Sequence, residues 1–305
     1  MKLKYIKPKS AIRLLLKQNF HATHQYHRLR SWLEGKFGKD KVVIWQMGKV
    51  GSSTIWKSLE SLHLDMLVYH VHFLETNKVN EIIERDRNNF SKLKFIYTET
   101  SQSEYLRSQL DSGIQGHWNI ITLVRDPVAK TLSHFFQVLE HQRRLGFDHQ
   151  KEEDETLLLQ TAISQFHQKH VENLNGRHPF EWFNYELKEN LHFDIFSAES
   201  LSDKDYCIYN TPNAKILLLK LETLNIACKA AFKDFLGIDD FTLVASNVGL
   251  QKRYGSLYRR FLDEVDLPIS YLDAIYQTDL VKHFYSEFEI ERFYHRWNSK
   301  RLYQG

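Results

Sequence analysis

One stretch of the chain decides the fold, and it runs from Val42 to Thr54 as Val-Val-Ile-Trp-Gln-Met-Gly-Lys-Val-Gly-Ser-Ser-Thr. It opens with an apolar run of strand length, breaks at Gly48 and resumes with apolar residues at helical spacing. A buried strand, a glycine-rich turn and a helix N-terminus together form a favourable anion site. Glycines let backbone N–H groups approach an anion, while hydroxyl groups and Lys49 add donors and charge. The alternative is an ordinary strand-to-helix turn that binds nothing.

The order of lysine and glycine in this stretch indicates which anion to expect. A Walker A loop needs its lysine directly after the second glycine, whereas Lys49 precedes Gly51 here. The observed order resembles the 5′-phosphosulfate loop of sulfotransferases, which use 3′-phosphoadenosine 5′-phosphosulfate as donor. The resemblance implies a donor contact from Gly48, Lys49, Val50, Gly51, Ser52, Ser53 and Thr54. It also implies that Lys49 takes part in the transfer step and that no metal is needed.

A second element supports the same interpretation. The apolar run from Trp118 to Val124 predicts a strand that ends at Arg125, and Pro127 suits the first position of a helix. Ser133 follows Arg125 by eight residues. This arrangement resembles the sulfotransferase site for the 3′-phosphate, where the planar fork of an arginine binds phosphate oxygens in pairs. Taken alone, Arg-Asp-Pro is common in loops.

Two histidines mark the end of a second predicted strand, Met66–Phe73. Strand alternation puts His70 and His72 on one face, and open α/β sheets bind ligands beyond the carboxyl ends of their strands. The resemblance implies a histidine general base after this strand, and we favour His72 over His70. Glu99, expected at the end of a third strand over 93–97, is the reserve base. The alternative is that both histidines are structural.

The rest of the chain predicts alternating helices and strands. Helical patterns cover residues 77–92, 103–110, 128–145 and 156–173, and a further core strand covers Lys215–Leu221. This alternation predicts a three-layer α/β domain with a mainly parallel central sheet of P-loop-like topology. We expect one domain over 42–305 after a basic leader over 1–41, which carries eleven Lys or Arg against Glu34 and Asp40. The leader suits contact with an anionic membrane surface, or a terminal helix packed on the domain.

Composition excludes several classes. Cys207 and Cys228 are the only cysteines, which is too few for a disulfide framework, and their spacing matches no metal site. The apolar runs are shorter than the roughly 20 residues of a membrane span. We therefore expect a cytoplasmic protein, with the basic leader as its one candidate for peripheral membrane contact. No nucleic-acid partner is expected for a chain of net charge +3.

Near the C-terminus the resemblance narrows to one family. The chain carries Asn247, Lys252, Arg253, Tyr254 and Gly255, and it resembles the capsular polysaccharide synthesis family named for an Asn-Lys-Trp-Tyr-Ser pattern. It departs from that pattern at Arg253 and Gly255, which leaves Lys252 as a candidate phosphate or acceptor contact. The segment Trp182–Lys188 also resembles the family, and we expect the likeness to cover 42–290.

The function that follows from both resemblances is sulfuryl transfer to a hydroxyl group of a glycan, in a capsule or another cell-surface polysaccharide. Two alternatives stay open. One is a P-loop-type nucleotide phosphotransferase, which needs a Walker A lysine and a bound Mg²⁺. The other is a non-catalytic glycan-binding protein on the same fold.

Overall fold

The computed structural model describes residues 19–37, 40–93, 96–113, 117–144, 155–172, 178–244 and 255–298. Within these ranges one five-stranded sheet has the order β2-β1-β3-β5-β4. Its strands are β1 Asp40–Trp45, β2 Met66–Val71, β3 Trp118–Val124, β4 Tyr206–Asn210 and β5 Ala214–Lys220. The first four in that order are parallel, and only β4 runs antiparallel, beside β5. The predicted mixed α/β fold with a mostly parallel sheet is confirmed; the finer P-loop-like classification stays a prediction.

Burial on both faces explains why the sequences of the central strands are continuous apolar runs. Residues 42–45 of β1 and 216–219 of β5 are fully buried, as expected for a parallel sheet that is covered on both faces. The register pairs Ile44 with His70 on one side and with Ile121 on the other. The carboxyl ends of β1, β2 and β3 therefore lie side by side at one edge of the sheet.

Helices connect and flank the strands. In chain order they are α1 Phe20–Phe37, α2 Ser52–Ser61, α3 Thr76–Leu93, α4 Thr98–Asp111, α5 Pro127–Arg144, α6 Glu155–Phe166, α7 Glu189–Leu191, α8 Leu224–Leu236, α9 Gly255–Glu264, α10 Ile269–Tyr276, α11 Asp279–Lys282 and α12 Glu287–Asn298. A π turn, His167–Val171, continues α6, and a second one, Asn184–Lys188, precedes α7. Short 3₁₀ turns cover Pro179–Glu181 and Ile195–Ser197. No helix in the described ranges is long and apolar enough to cross a membrane.

The expected third strand over 93–97 is wrong. Leu93 ends α3, and the chain enters α4 at Thr98, while residues 94 and 95 lie outside the described ranges. Beyond them, the buried Asp86 carboxylate of α3 accepts the Tyr97 amide at 3.1 Å and the Thr100 hydroxyl at 2.7 Å. These bonds tie the start of α4 to α3. The edge strand β4 was not expected.

Helix α1 packs against α3 and α4. The Phe20 ring meets the Phe90 ring edge-on at a centroid distance of 5.6 Å, and His24 Nε2 lies 2.8 Å from Glu104 Oε2. Part of the predicted leader is therefore a helix packed on the sheet domain. The other face of α1 is open, with Trp32 48% exposed. Residues 1–18, which hold most of the basic residues of the leader, lie outside the described ranges.

Candidate active site

Gly51 has the most constrained backbone position in the loop between β1 and α2. Gly51 has φ +93°, and a Cβ built on it would lie 2.5 Å from Leu221 Cδ1. A Cβ built on Gly48 would have no atom within 4 Å. Lys49 also adopts a left-handed φ, +75°, which is uncommon for a residue with a side chain. The loop is therefore strained at Lys49 and closely packed at Gly51, as is frequent at functional sites.

The N-terminus of α2 offers donors to an anion. Ser52 and Ser53 lie in the first turn, where amides have no acceptor inside the helix, and Gly51 supplies no side-chain cap. The Ser53 hydroxyl makes no hydrogen bond within the described part of the chain. The side-chain amide of the fully buried Gln46, just before the loop, also has no partner there. These donors suit an anion such as a phosphate, and binding of an anion here stays a prediction.

Arg125 connects the loop to the neighbouring strand. Its Nη1 donates to the Lys49 carbonyl oxygen at 2.9 Å, so that the end of β3 holds the strained residue of the loop. Ser133 lies two turns into α5, and no hydrogen bond joins it to Arg125 or to any other residue in the described ranges. The structure therefore brings Arg125 to the loop and leaves the Ser133 hydroxyl open.

His70 and His72 share a strand face, as predicted, but their surroundings differ. Their ring centroids are 5.2 Å apart. His70 Nε2 lies 2.7 Å from Ser52 Oγ, and its amide donates to Gln102 Oε1 at 3.0 Å. Burial, followed by the charge of His72, lowers the pKa of His70 to about 3. His70 is therefore neutral at physiological pH and holds the first serine of α2.

His72 has one ring nitrogen fixed and the other open. Its Nδ1 lies 2.9 Å from the Gln46 carbonyl oxygen, which can only accept, so the neutral ring carries its proton on Nδ1. Nε2 then keeps its lone pair, and it faces Glu99 Oε1 at 4.0 Å. Both side chains reach solvent, at 25% and 31% exposure. Glu99 is not at a strand end, as expected, but in the first turn of α4.

Two residues in the second half of the chain hold this histidine. Trp182 Nε1 donates to the His72 carbonyl oxygen at 3.0 Å. The buried Glu186 carboxylate accepts the Leu74 amide at 2.7 Å and Trp45 Nε1 at 3.1 Å through one oxygen, Oε2. Burial, only partly offset by these hydrogen bonds, raises the pKa of Glu186 to about 7. The segment directly after β2 is thus fixed from both sides.

Asp126, next to Arg125, has a structural role. Its fully buried carboxylate caps α5 by accepting the Val128 amide at 3.0 Å, and it also accepts the Tyr276 hydroxyl at 2.7 Å and Trp297 Nε1 at 2.9 Å. Its own amide donates to Glu222 Oε1 at 2.8 Å. The C-terminal helices therefore anchor the ends of β3 and β5.

The sequence analysis missed two residues of α5 beside the site. Lys130 and His134 lie on the same helix face as Ser133, and neither side chain makes a hydrogen bond or ion pair within the described part of the chain. His134 reaches solvent, yet protein crowds it on its other sides. Desolvation, and then the charges of Lys130, Lys49, His170 and His72, lower the pKa of His134 to about 4. The sequence showed only that positions 133 and 134 each lie about one helical turn after 130, on a shared face.

The remaining predicted contact, Lys252, and the pattern around it lie outside the described residues, which stop at 244 and resume at 255. Across the described ranges, no group of three or more His, Cys, Asp or Glu side chains is arranged to hold a metal ion. Cys207 and Cys228 are both buried and free.

Comparison with known proteins gives one match. The model of a family described as "putative capsular polysaccharide synthesis protein" matches residues 154–286, which confirms the resemblance to that family. The match is shorter than the expected 42–290, and the glycine loop, both strand histidines, Arg125 and Ser133 precede it. Trp182 and Glu186, which hold the segment around His72, lie inside it. No curated protein and no solved structure matches the chain.

Proposed function

We propose that this chain, which matches the capsular polysaccharide synthesis family over residues 154–286, moves a sulfuryl group from 3′-phosphoadenosine 5′-phosphosulfate to a glycan hydroxyl group. The main support is the position and tautomer of His72. Its Nε2 keeps a lone pair at the edge where the glycine loop and the N-terminus of α2 form an anion site. A proton acceptor beside an anion site is the arrangement that group transfer to a hydroxyl requires.

Each residue has a separate task in the proposed reaction. His72 Nε2 takes the proton of the acceptor hydroxyl while its oxygen forms the new bond to sulfur. The sulfur–oxygen bond to the 5′-phosphate breaks, and its electron pair stays on the phosphate oxygen. Lys49 and the first-turn amides of α2 stabilise the charge that develops there. Glu99, 4.0 Å from Nε2, stabilises the imidazolium that forms.

The donor would be held at two points. The loop from Gly48 to Thr54 faces its 5′-phosphate, and Arg125 with the open Ser133 hydroxyl faces its 3′-phosphate. Arg125 already uses Nη1 on the loop carbonyl, so its other nitrogens are the ones offered to the phosphate. Binding of the 3′-phosphate would then be coupled to the conformation of Lys49.

The two alternatives differ in what they require. A P-loop phosphotransferase needs its lysine after the second glycine, and this chain has Lys49 before it. A glycan-binding protein without activity has no need for the fixed tautomer of His72 beside an open carboxylate. Both observations favour sulfuryl transfer.

Thermal shift separates the candidates by ligand. The full chain should be stabilised by 3′-phosphoadenosine 5′-phosphate without metal, by about 2.7 kcal/mol at 100 times the dissociation constant. AMP should stabilise it much less, because AMP lacks the 3′-phosphate. Equal shifts with AMP would remove the case for a 3′-phosphate site, and a shift that needs ATP with Mg²⁺ would favour the phosphotransferase.

Transfer from radiolabelled donor then tests the base. His72→Gln should lower turnover about 10²–10⁴-fold and leave the thermal shift with 3′-phosphoadenosine 5′-phosphate unchanged. His295→Gln is a suitable control, since that histidine is 73% exposed on α12. Retained turnover in His72→Gln, with a lower melting temperature, would show that His72 is structural. A selective loss in Glu99→Gln instead would move the base to α4.

A further inference from the structure

Helix α1 carries an exposed apolar patch formed by Leu29, Trp32 and Leu33, which are 57%, 48% and 36% exposed. Residues three and four apart on a helix are neighbours, so the three side chains form one surface. The other exposed large apolar side chains in the described ranges, such as Ile226 on α8 and Phe288 on α12, are scattered singly. Single exposed apolar residues are ordinary, whereas a group of them marks a contact surface.

The packing of α1 on the domain directs this apolar patch outwards. The Phe20 ring meets the Phe90 ring of α3 at a centroid distance of 5.6 Å, and His24 Nε2 lies 2.8 Å from Glu104 Oε2 of α4. Leu29 follows Phe20 by nine residues, which is two and a half turns at about 3.6 residues per turn. Leu29 is therefore on the opposite side of the helix from the residue that anchors it.

The part of the chain that carries the patch is strongly basic. Residues 1–41 hold eleven of the 41 Lys and Arg residues and two of the 38 acidic ones, so the remaining 264 residues have a net charge of −6. Arg28, on the same helix, has a side chain that is 51% exposed. Glu104, an acidic residue packed against α1, is already engaged by His24 at 2.8 Å and by Arg28 at 3.3 Å. This region therefore complements a negatively charged partner.

An apolar patch within a basic segment fits the surface of an anionic bilayer. Helices that lie in such a surface insert apolar side chains among the lipid headgroups, and their basic residues approach the phosphates. Tryptophan suits this depth, because its ring is apolar and its N–H group is polar. A second copy of the chain would bring the same positive charge, and a stable protein interface needs about 800 Å² per partner, more than three partly exposed side chains offer. A soluble polyanion would match the charge and leave the apolar patch in water.

We infer that α1 docks on the surface of a membrane that contains anionic phospholipids. Leu29, Trp32 and Leu33 enter the headgroup layer, and the basic residues of 1–41 face the lipid phosphates. The inference does not depend on the proposed reaction, because neither the donor nor the acceptor takes part in it.

Cosedimentation of the full chain with vesicles tests this docking. The vesicles contain phosphatidylcholine alone, or equal parts of phosphatidylcholine and phosphatidylserine. Binding should be much tighter to the mixed vesicles and should weaken as salt is added, since salt screens the attraction between exposed charges. The double variant Leu29→Gln with Trp32→Gln should bind the mixed vesicles at least tenfold more weakly, because it removes most of the inserted apolar area.

Two further variants show whether the location of the change matters. Leu29→Gln with Leu33→Gln retains Trp32 and its contacts, and it should also weaken vesicle binding several-fold. Ile226→Gln with Phe288→Gln is the matched control, because it removes two apolar residues that are 79% and 67% exposed elsewhere on the surface. The control should change vesicle binding less than twofold. Glutamine is used throughout because it is a good helix former.

Four results would overturn the inference. The first is an equal effect of the patch variants and the control on vesicle binding, and the second is equal affinity for vesicles without phosphatidylserine. The third is a dimer in sedimentation equilibrium that the patch variants convert to a monomer, which would assign the patch to contact between copies. The fourth is binding of dextran sulfate as tight as that of mixed vesicles and unchanged in the patch variants, which would assign the basic region to a soluble polyanion.

Discussion

Substitution of Gly51 by alanine tests how the loop is built, because two independent constraints disfavour a side chain there. The backbone is left-handed at φ +93°, and the added Cβ would lie 2.5 Å from Leu221 Cδ1. Gly48, three residues earlier in the same loop, has neither constraint: its φ is not positive, and no atom lies within 4 Å of a Cβ built on it. The two glycines therefore form an internal comparison.

The expected free-energy costs follow from these two constraints. A left-handed backbone costs a residue with a side chain about 1–2 kcal/mol, and moving the half-buried Leu221 side chain out of its rotamer costs about 0.5–1.5 kcal/mol. Gly51→Ala should therefore lower the free energy of unfolding by about 1.5–3.5 kcal/mol. Gly48→Ala should stay within about 0.5 kcal/mol, or even stabilise slightly by restricting the unfolded chain.

Equilibrium urea denaturation of the full chain measures both values. A double variant, Gly51→Ala with Leu221→Ala, should be more stable than the sum of the single changes predicts, because it removes the overlap and leaves the backbone strain. If Gly51→Ala costs no more than Gly48→Ala, the close packing of the loop against Leu221 is wrong. If the double variant is simply additive, the cost comes from the backbone alone.

Two further predictions concern buried charges. Burial raises the pKa of Glu186 from 4.5 to about 7, so the folded state holds an extra proton and stability should fall as pH rises from 4.5 through 7. Glu186→Gln should remove about 2.5 kcal/mol of the fall between denaturation curves taken at pH 5 and pH 8. A pH dependence unchanged by the substitution would contradict this. The Lys220 side chain is 2% exposed, and its Nζ lies 2.8 Å from Glu289 Oε2. Lys220→Met should lower the free energy of unfolding by about 3–5 kcal/mol, because it leaves the carboxylate without its cation, and adding Glu289→Gln should recover most of that loss. A double variant as unstable as the single one would refute the pairing argument.

Strong local patterns made most of the sheet predictable. Residues such as Val43 and Leu218 lie in apolar runs whose strands are buried on both faces, and Gly48 and Pro127 follow two of these runs. The run over 93–97 also suggested a strand, but Leu93 ends α3, and the Asp86 carboxylate bonds to Tyr97 and Thr100 where α4 begins. The hydrophobic periodicity of a segment does not report hydrogen bonds to residues outside that segment, which is why the strand prediction was wrong.

The residues of the site were predictable where spacing alone identifies them. Lys49, Gly51 and Arg125 follow from motif order, and the structure brings all three to one edge of the sheet. Lys130 and His134 were overlooked because the desolvation that lowers the pKa of each is a property of the fold, which a sequence does not display. Their helical spacing could have shown only that they share a face with Ser133.

The two strand histidines lie on the same strand face but differ in their surroundings and in their proposed roles. Alternation places His70 and His72 together, but the strand carries His70 inward to Ser52, where burial keeps it neutral, with a pKa of about 3. Two residues later the strand has ended, and the ring of His72 reaches the Gln46 carbonyl oxygen and the open edge of the sheet. In the proposed reaction the first histidine therefore fixes the helix whose amides bind the donor, and the second accepts the proton. Their order along the strand, and not their residue type, separates positioning from chemistry.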